Sequence, residues 1–313
     1  MSRVLVVCPG RGSYGAGQLG TLARLAERKV APSASLFEPK RRPWREALAN
    51  IDAWCAAHSL PTISALDSAD RYRANTHRRA DVASVLTTSL SYLDYLARRA
   101  DGLGDEDWQP VAVVGNSLGW YTALAVAGAI SLEDALRIVA TTGGYQRAAG
   151  QVGAQLIYPL VDDSWRRPLD PLPLQAAMQA ATAVGFVASS INLGGLMVFA
   201  GDTAAMDVLR QELPIITRGR ATYPMMLAGH SAFHSPLLSP MAEAAQQTLA
   251  DVTFRAPDLP MIDGNGDSWR PIYADPSDLR DYTLQAQITT PYNFAASVAV
   301  AVPEYAPDRI LLL

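Results

Sequence analysis

Residues 110–129 read Pro110-Val-Ala-Val-Val-Gly-Asn-Ser-Leu-Gly-Trp-Tyr-Thr-Ala-Leu-Ala-Val-Ala-Gly-Ala129. The first five are apolar and rich in valine, the pattern of a strand buried on both faces. The next five, Gly115-Asn-Ser117-Leu-Gly119, fit G-x-S-x-G. Trp120 to Ala129 carries no charge and reads as a central helix. Strand, tight turn and helix in direct succession predict an α/β fold on a parallel sheet. In such a turn, glycines let helix and strand approach, and the serine hydroxyl is thrust outward. Amides of the helix N-terminus lie beside it, where they can hold developing negative charge. An ordinary turn with a capping serine satisfies the same five residues.

The rest of the chain extends this pattern. Arg3-Val-Leu-Val-Val-Cys8 is a second buried strand, followed by the glycine loop Pro9-Gly-Arg-Gly-Ser13. Helices are expected over 15–29, 44–58 and 81–100, and another from the N-cap Ser131 to about Gly143. Between 153 and 228 the order becomes strand, helix, two strands around Gly194-Gly195, helix, strand, the last over Ala221–Leu227. That βαββαβ order is the ferredoxin-like one. The expected architecture is a large α/β-hydrolase-like domain with a parallel sheet (1–152 and 229–313). It carries an inserted ferredoxin-like α+β subdomain (153–228), and a helix at 236–250 returns the chain to the large domain.

Of 313 residues, 49% are hydrophobic and only 18% charged, below the quarter or so usual in soluble domains. Two stretches, Trp108–Leu132 and Leu172–Gly201, hold no charge at all. Their length would cross a bilayer, but Asn116, Ser117, Thr122, Gln175, Gln179 and Asn192 within them argue for a buried strand joined to a buried helix. Two cysteines, Cys8 and Cys55, build no disulfide framework and fit a reducing compartment. A net charge of −4 gives no footprint for nucleic acid. A soluble cytoplasmic protein is expected, with neither membrane nor nucleic acid as partner.

A serine at its free pKa needs a base. The four histidines are His58, His77, His230 and His234. His58 and His77 stand in polar surroundings and read as solvated. His230 and His234 flank Ser231-Ala-Phe; their i, i+4 spacing also suits two metal ligands on a helix, but no carboxylate follows at useful spacing.

Three motifs, in order, resemble those of the malonyl-CoA:acyl-carrier-protein transacylases and polyketide synthase acyltransferase domains. Cys8-Pro-Gly-Arg-Gly12 resembles the family's F-P-G-Q-G loop, and Gly115-Asn-Ser-Leu-Gly-Trp-Tyr121 its G-H-S-L-G-E-Y elbow. Ser231-Ala-Phe-His-Ser-Pro-Leu-Leu238 resembles its H-A-F-H-S-P-L-M segment. The resemblance covers nearly the whole chain. It implies Ser117 as nucleophile, His234 as general base, and an oxyanion hole from the N–H groups of Arg11 and Leu118. It also implies a backbone carbonyl orienting the histidine, expected from the Asp263-Gly264-Asn265 turn. The implied reaction passes an acyl group from acyl-CoA through an acyl-serine to the phosphopantetheine thiol of an acyl-carrier protein. CoA enters as part of the substrate, and no resident cofactor or metal is expected.

The departures concern the acyl pocket. The family's carboxylate-binding arginine is replaced by Thr142, so the expected acyl group is malonyl or a small neutral one. Arg11 and Arg147 are the candidate replacements for the lost cation. Asn116, Trp120 and Phe233 complete the expected substrate contacts, with plain helix packing as the alternative reading of Trp120. The basic groups Lys40–Arg45 and Arg71, Arg73, Arg78 and Arg79 suit the acidic surface of a carrier or are plain solvated charge. A thioester hydrolase clearing carriers, and a non-catalytic carrier-binding subunit, are the alternative readings.

Overall fold

The computed structural model describes residues 1–28, 42–103 and 107–313. Lys40 and Arg41 of the basic cluster lie outside the described residues. In chain order the strands are β1 (Ser2–Cys8), β2 (Trp108–Gly115), β3 (Ala154–Pro159), β4 (Val187–Asn192), β5 (Leu196–Gly201) and β6 (Ile216–Arg218). They continue with β7 (Ala221–Tyr223), β8 (Met225–Met226), β9 (Met261–Ile262), β10 (Ser268–Trp269), β11 (Tyr292–Asn293) and β12 (Arg309–Leu312).

The large sheet has the order β10-β9-β2-β1-β12. Its strands run parallel except β10, which is antiparallel to β9. The valine-rich run of β1 explains its central place. Val4, Val6 and Cys8 point into the main core with Leu86, Trp120 and Leu124, while Leu5 and Val7 point into a second core with Ala112, Val114, Ile262 and Ala301. Both faces are covered, as a parallel strand requires.

The uncharged helix Gly119–Val126 is buried at every residue. Two long helices flank it, Ala80–Asp101 and Leu132–Ala149. The second starts as expected, with Ser131 Oγ accepting from Asp134 N. It runs six residues past the expected end at Gly143, because Gly143 fits where it passes helix Ala80–Asp101. A Cβ there would stand 2.6 Å from the Asp81 Cα. The expected helix over 15–29 divides instead into Ala16–Gln18 and Thr21–Glu27, interrupted by Gly20 at φ +78°.

The small sheet has the order β11-β4-β5-β3-β8. Among β4, β5, β3 and β8 each strand is antiparallel to its neighbour, and helices Leu172–Thr182 and Thr203–Glu212 connect them. Two expectations need correction here. The single strand over Ala221–Leu227 is broken at the cis Tyr223–Pro224 bond. β7 pairs back on β6, and only β8 joins the sheet, through β3, because Pro224 has no N–H to offer a ladder. The second uncharged stretch is also not a buried helix–strand pair. Helix Leu172–Thr182 buries only Ala177 and Ala181, and Leu172 is 66% exposed. Its neutrality comes from alanine and glutamine rather than from burial. No helix among the described residues is long and apolar enough to cross a membrane.

Candidate active site

The turn after β2 shows why its glycines are glycines. A Cβ on Gly115 would lie 2.3 Å from the Gly119 carbonyl carbon, and one on Gly119 would lie 2.1 Å from the Cys8 carbonyl oxygen. Strand β1, the turn and the helix are thus in backbone contact, and Ser117 at the apex is forced to φ +54°. Its side chain leaves the chain path and enters a cleft of about 510 Å³.

His234 enters the same cleft from the loop before the 236–250 segment, also with a left-handed backbone, φ +58°. Ser117 Oγ lies 2.7 Å from His234 Nε2. On the far side of the ring, Nδ1 lies 2.7 Å from the Gln287 carbonyl oxygen. A carbonyl only accepts, so Nδ1 carries the proton, and Nε2 presents its lone pair to the serine hydroxyl. The ring is 1% exposed. Burial disfavours the imidazolium and lowers the pKa to about 4, with the Gln287 bond acting the other way, so the histidine is neutral near pH 7.

The expected orienting turn does not reach this histidine. Within it, the Asp263 carbonyl accepts from Ser297 Oγ and the Gly264 carbonyl from Asn293 N. Gln287 supplies the carbonyl instead, and its side chain ties the site together. Nε2 donates to the Ser117 carbonyl at 2.9 Å, while Oε1 accepts from Tyr121 at 2.7 Å. Nothing in the sequence around Gln287 marks it. It follows a widened helical turn, Tyr282–Ala286, of the i→i+5 kind, a local irregularity that recurs at functional sites.

Around this pair, Asn116, Thr142 and Phe233 line the cleft as expected. Asn116 Oδ1 is buried without a hydrogen-bond partner among the described residues. The Thr142 hydroxyl turns back to the Ile138 carbonyl at 3.0 Å. Among the described residues, the N–H groups of Arg11 and Leu118 have no acceptor within the protein. Of the two readings of Trp120, packing is the one observed, not substrate contact. It is fully buried, donates to Thr283 Oγ1 at 3.0 Å, and packs edge-on against Tyr282. It belongs to the core behind the elbow and does not line the cleft.

Of the two candidate cations, Arg147 is 60% exposed at its side chain, paired with Asp81 at 3.3 Å, and outside the cleft. Arg11 lines the cleft. His230 lines it too, with Nδ1 3.0 Å from Gln155 Oε1, and burial lowers its pKa to about 3. His77 is not solvated: it is 3% exposed, its Nε2 donates to the Leu66 carbonyl, its Nδ1 accepts from Arg73 N, and its ring stacks on Tyr72. Aromatic neighbours distant along the chain, Tyr14 among them, produce that burial.

No family profile matches the chain. It is 25% identical over 223 residues to the malonyl CoA-acyl carrier protein transacylase of Bacillus subtilis, covering 71% of this chain and 64% of that protein. Polyketide synthase GfsB of Streptomyces halstedii is 29% identical over 233 residues, 74% of this chain and 4% of the synthase. The chain therefore spans less than two thirds of either relative. A crystal structure of an acyl-carrier-protein S-malonyltransferase from Burkholderia pseudomallei superposes with a TM-score of 0.73 at 24% identity, covering 98% of this chain and 88% of that one. The mixed α/β fold with its parallel sheet is the fold of such transferases. The chain is similar in sequence to a malonyl CoA-acyl carrier protein transacylase and to a polyketide synthase, and it shares its fold with solved malonyltransferase and polyketide synthase acyltransferase structures.

Proposed function

We propose that the protein is a serine acyltransferase, moving an acyl group from an acyl-CoA to the phosphopantetheine thiol of an acyl-carrier protein. The observation that carries this reading is the 2.7 Å contact between Ser117 Oγ and the unprotonated Nε2 of His234 inside the cleft. As Oγ attacks the thioester carbonyl, its proton passes to Nε2. The N–H groups of Arg11 and Leu118 receive the charge on the carbonyl oxygen. The C–S bond then breaks and CoA leaves as a thiol with the proton from Nε2. In the second half, the carrier thiol gives its proton to Nε2 and its sulfur attacks the acyl-serine. Ser117 leaves and takes that proton back. The Gln287 carbonyl holds the ring in the required tautomer throughout, a task that needs no carboxylate.

The same reading takes 1–152 and 229–313 as an α/β-hydrolase-like catalytic domain and 153–228 as a ferredoxin-like subdomain. The antiparallel order β8-β3-β5-β4, with a helix after its first and third strands in sequence, supports the latter.

Incubating the protein with malonyl-, acetyl- and longer acyl-CoAs, with and without a carrier protein, tests the proposal by intact mass. An adduct on Ser117 that passes to the carrier is expected, with none in Ser117→Ala. An adduct that decays to free acid faster than it transfers would make the protein a thioester hydrolase. No adduct from any donor would leave only a carrier-binding role.

A further inference from the structure

We propose that Arg11 determines acyl specificity, its guanidinium binding the free carboxylate of a dicarboxylic acyl thioester such as malonyl. The inference rests on the acyl-transfer reading and adds a substrate class to it.

Arg11 stands in the glycine loop after β1, and its side chain is held on three sides. Nη1 donates to Gln146 Oε1 at 2.7 Å, Nη2 donates to the Gly229 carbonyl at 3.3 Å, and the guanidinium lies over the Phe233 ring, 5.2 Å from its centroid. All three partners are uncharged. No carboxylate lies within ion-pair distance of it among the described residues, whereas Arg147, next to Gln146 in sequence, is exposed to solvent and pairs with Asp81, a carboxylate it shares with Arg79. A guanidinium has five N–H donors in one plane, and these two bonds leave three.

Arg11 is half-buried, and even partial desolvation of such a cation without a counter-ion is costly. Burial lowers the Arg11 pKa to about 10, which still leaves it charged at neutral pH. His230 beside it does not compensate, because it is kept neutral by burial and by the Arg11 charge itself. The unmatched charge faces the space into which Ser117 and His234 open. Phe233 fixes its plane, and the next residue is His234. A preorganised planar fork beside a nucleophile suits a carboxylate carried on the acyl group. Gln146 lies one helical turn beyond Thr142, which also lines the cleft. The charge thus reaches the wall formed by helix Leu132–Ala149 from a different part of the chain.

The phosphates of CoA are a second source of negative charge, and comparing donors separates the two, since malonyl-CoA and acetyl-CoA carry the same phosphates. Calorimetric binding of both to Ser117→Ala protein reads recognition without turnover. Malonyl-CoA is expected to bind about tenfold tighter or more. Arg11→Gln should erase that preference and Arg11→Lys should retain part of it. Thr142→Arg added to Arg11→Gln should restore it, with thermal melts confirming that each variant is folded. Equal binding of the two donors to Ser117→Ala, a preference that survives Arg11→Gln, or equal weakening of both donors by Arg11→Gln would overturn the proposal. Failure of the acyl-transfer reading looks different: the wild-type protein would form no acyl-Ser117 while the binding preference persisted.

Discussion

Ser117 and His234 share an unusual backbone as well as a hydrogen bond: both are left-handed, at φ +54° and +58°, and both turn their side chains out of the chain path toward each other. A non-glycine residue there costs on the order of 1 kcal/mol or more. The surroundings that hold them are specific. The elbow's backbone contacts confine the serine, and the Ile288 carbonyl, accepting from His234 N at 2.8 Å, confines the histidine.

Gln287 joins the two halves of this arrangement, so its side chain should matter to rate. Gln287→Ala keeps the carbonyl that orients His234 but removes the bonds to Ser117 and Tyr121. Ser117 acylation should slow by about tenfold to a hundredfold, read by rapid-quench intact mass. A rate within twofold of wild type would show that the elbow is held without it.

The pH profile should carry the signature of a buried base. With its pKa lowered to about 4, His234 keeps its lone pair well below the 6.5 of a free imidazole. The acid limb of kcat/KM for Ser117 acylation is therefore expected near pH 4. A limb at 6.5 would mean that the ring is solvated in the free enzyme. For stability the sign is set by the unfolded chain, which takes up a proton below about 6.5 while the native state resists until about 4. The contribution of the neutral, buried ring is present above 6.5 and is lost as the pH falls toward 4. His230, with its pKa at about 3, adds to the same trend. Urea midpoints at pH 7 and pH 5 measure it.

Gly119→Ala tests the close approach directly. The added carbon would sit 2.1 Å from the Cys8 carbonyl oxygen, with backbone on both sides and nothing flexible to give way. A loss of about 3 kcal/mol of stability is expected, seen in chemical denaturation. An unchanged midpoint would mean that the elbow backbone relaxes freely.

Trp120→Phe separates packing from specificity. It removes one buried hydrogen bond, to Thr283, and should cost about 1–2 kcal/mol, lowering the melting temperature. Because Trp120 lies outside the cleft, the ratio of malonyl to acetyl loading should not move. A shifted ratio would return Trp120 to the substrate wall.

The parts that could be read in advance are those whose cause is local. The valines of 110–114, the glycines at 115 and 119 and the cap at Ser131 each act through neighbours a few residues away, so pattern and structure agree there. Ser117 and His234 came from motifs, and the fold brings them together. What escaped depends on distant segments. Gln287 lies 170 residues from the carbonyl it holds and in no recognisable motif. His77 is buried by Tyr14 and Tyr72, partners that no window around residue 77 includes in full. Trp120 sits beside the nucleophile in sequence, yet helical geometry turns it to the opposite side.

The short strand β11 has a mechanical consequence. Tyr292–Asn293 pairs with the outer strand of the small sheet, β4, while the Tyr292 hydroxyl donates to the Gly115 carbonyl at the elbow and its ring lies 5.3 Å from that of His234. One dipeptide thereby rivets the wall of the cleft to the turn that carries the nucleophile. Residues 153–228 are consequently not a cassette. A chimera that exchanged them alone would leave β4 with an open edge and the rivet without its plate, so the portable unit includes 292–293.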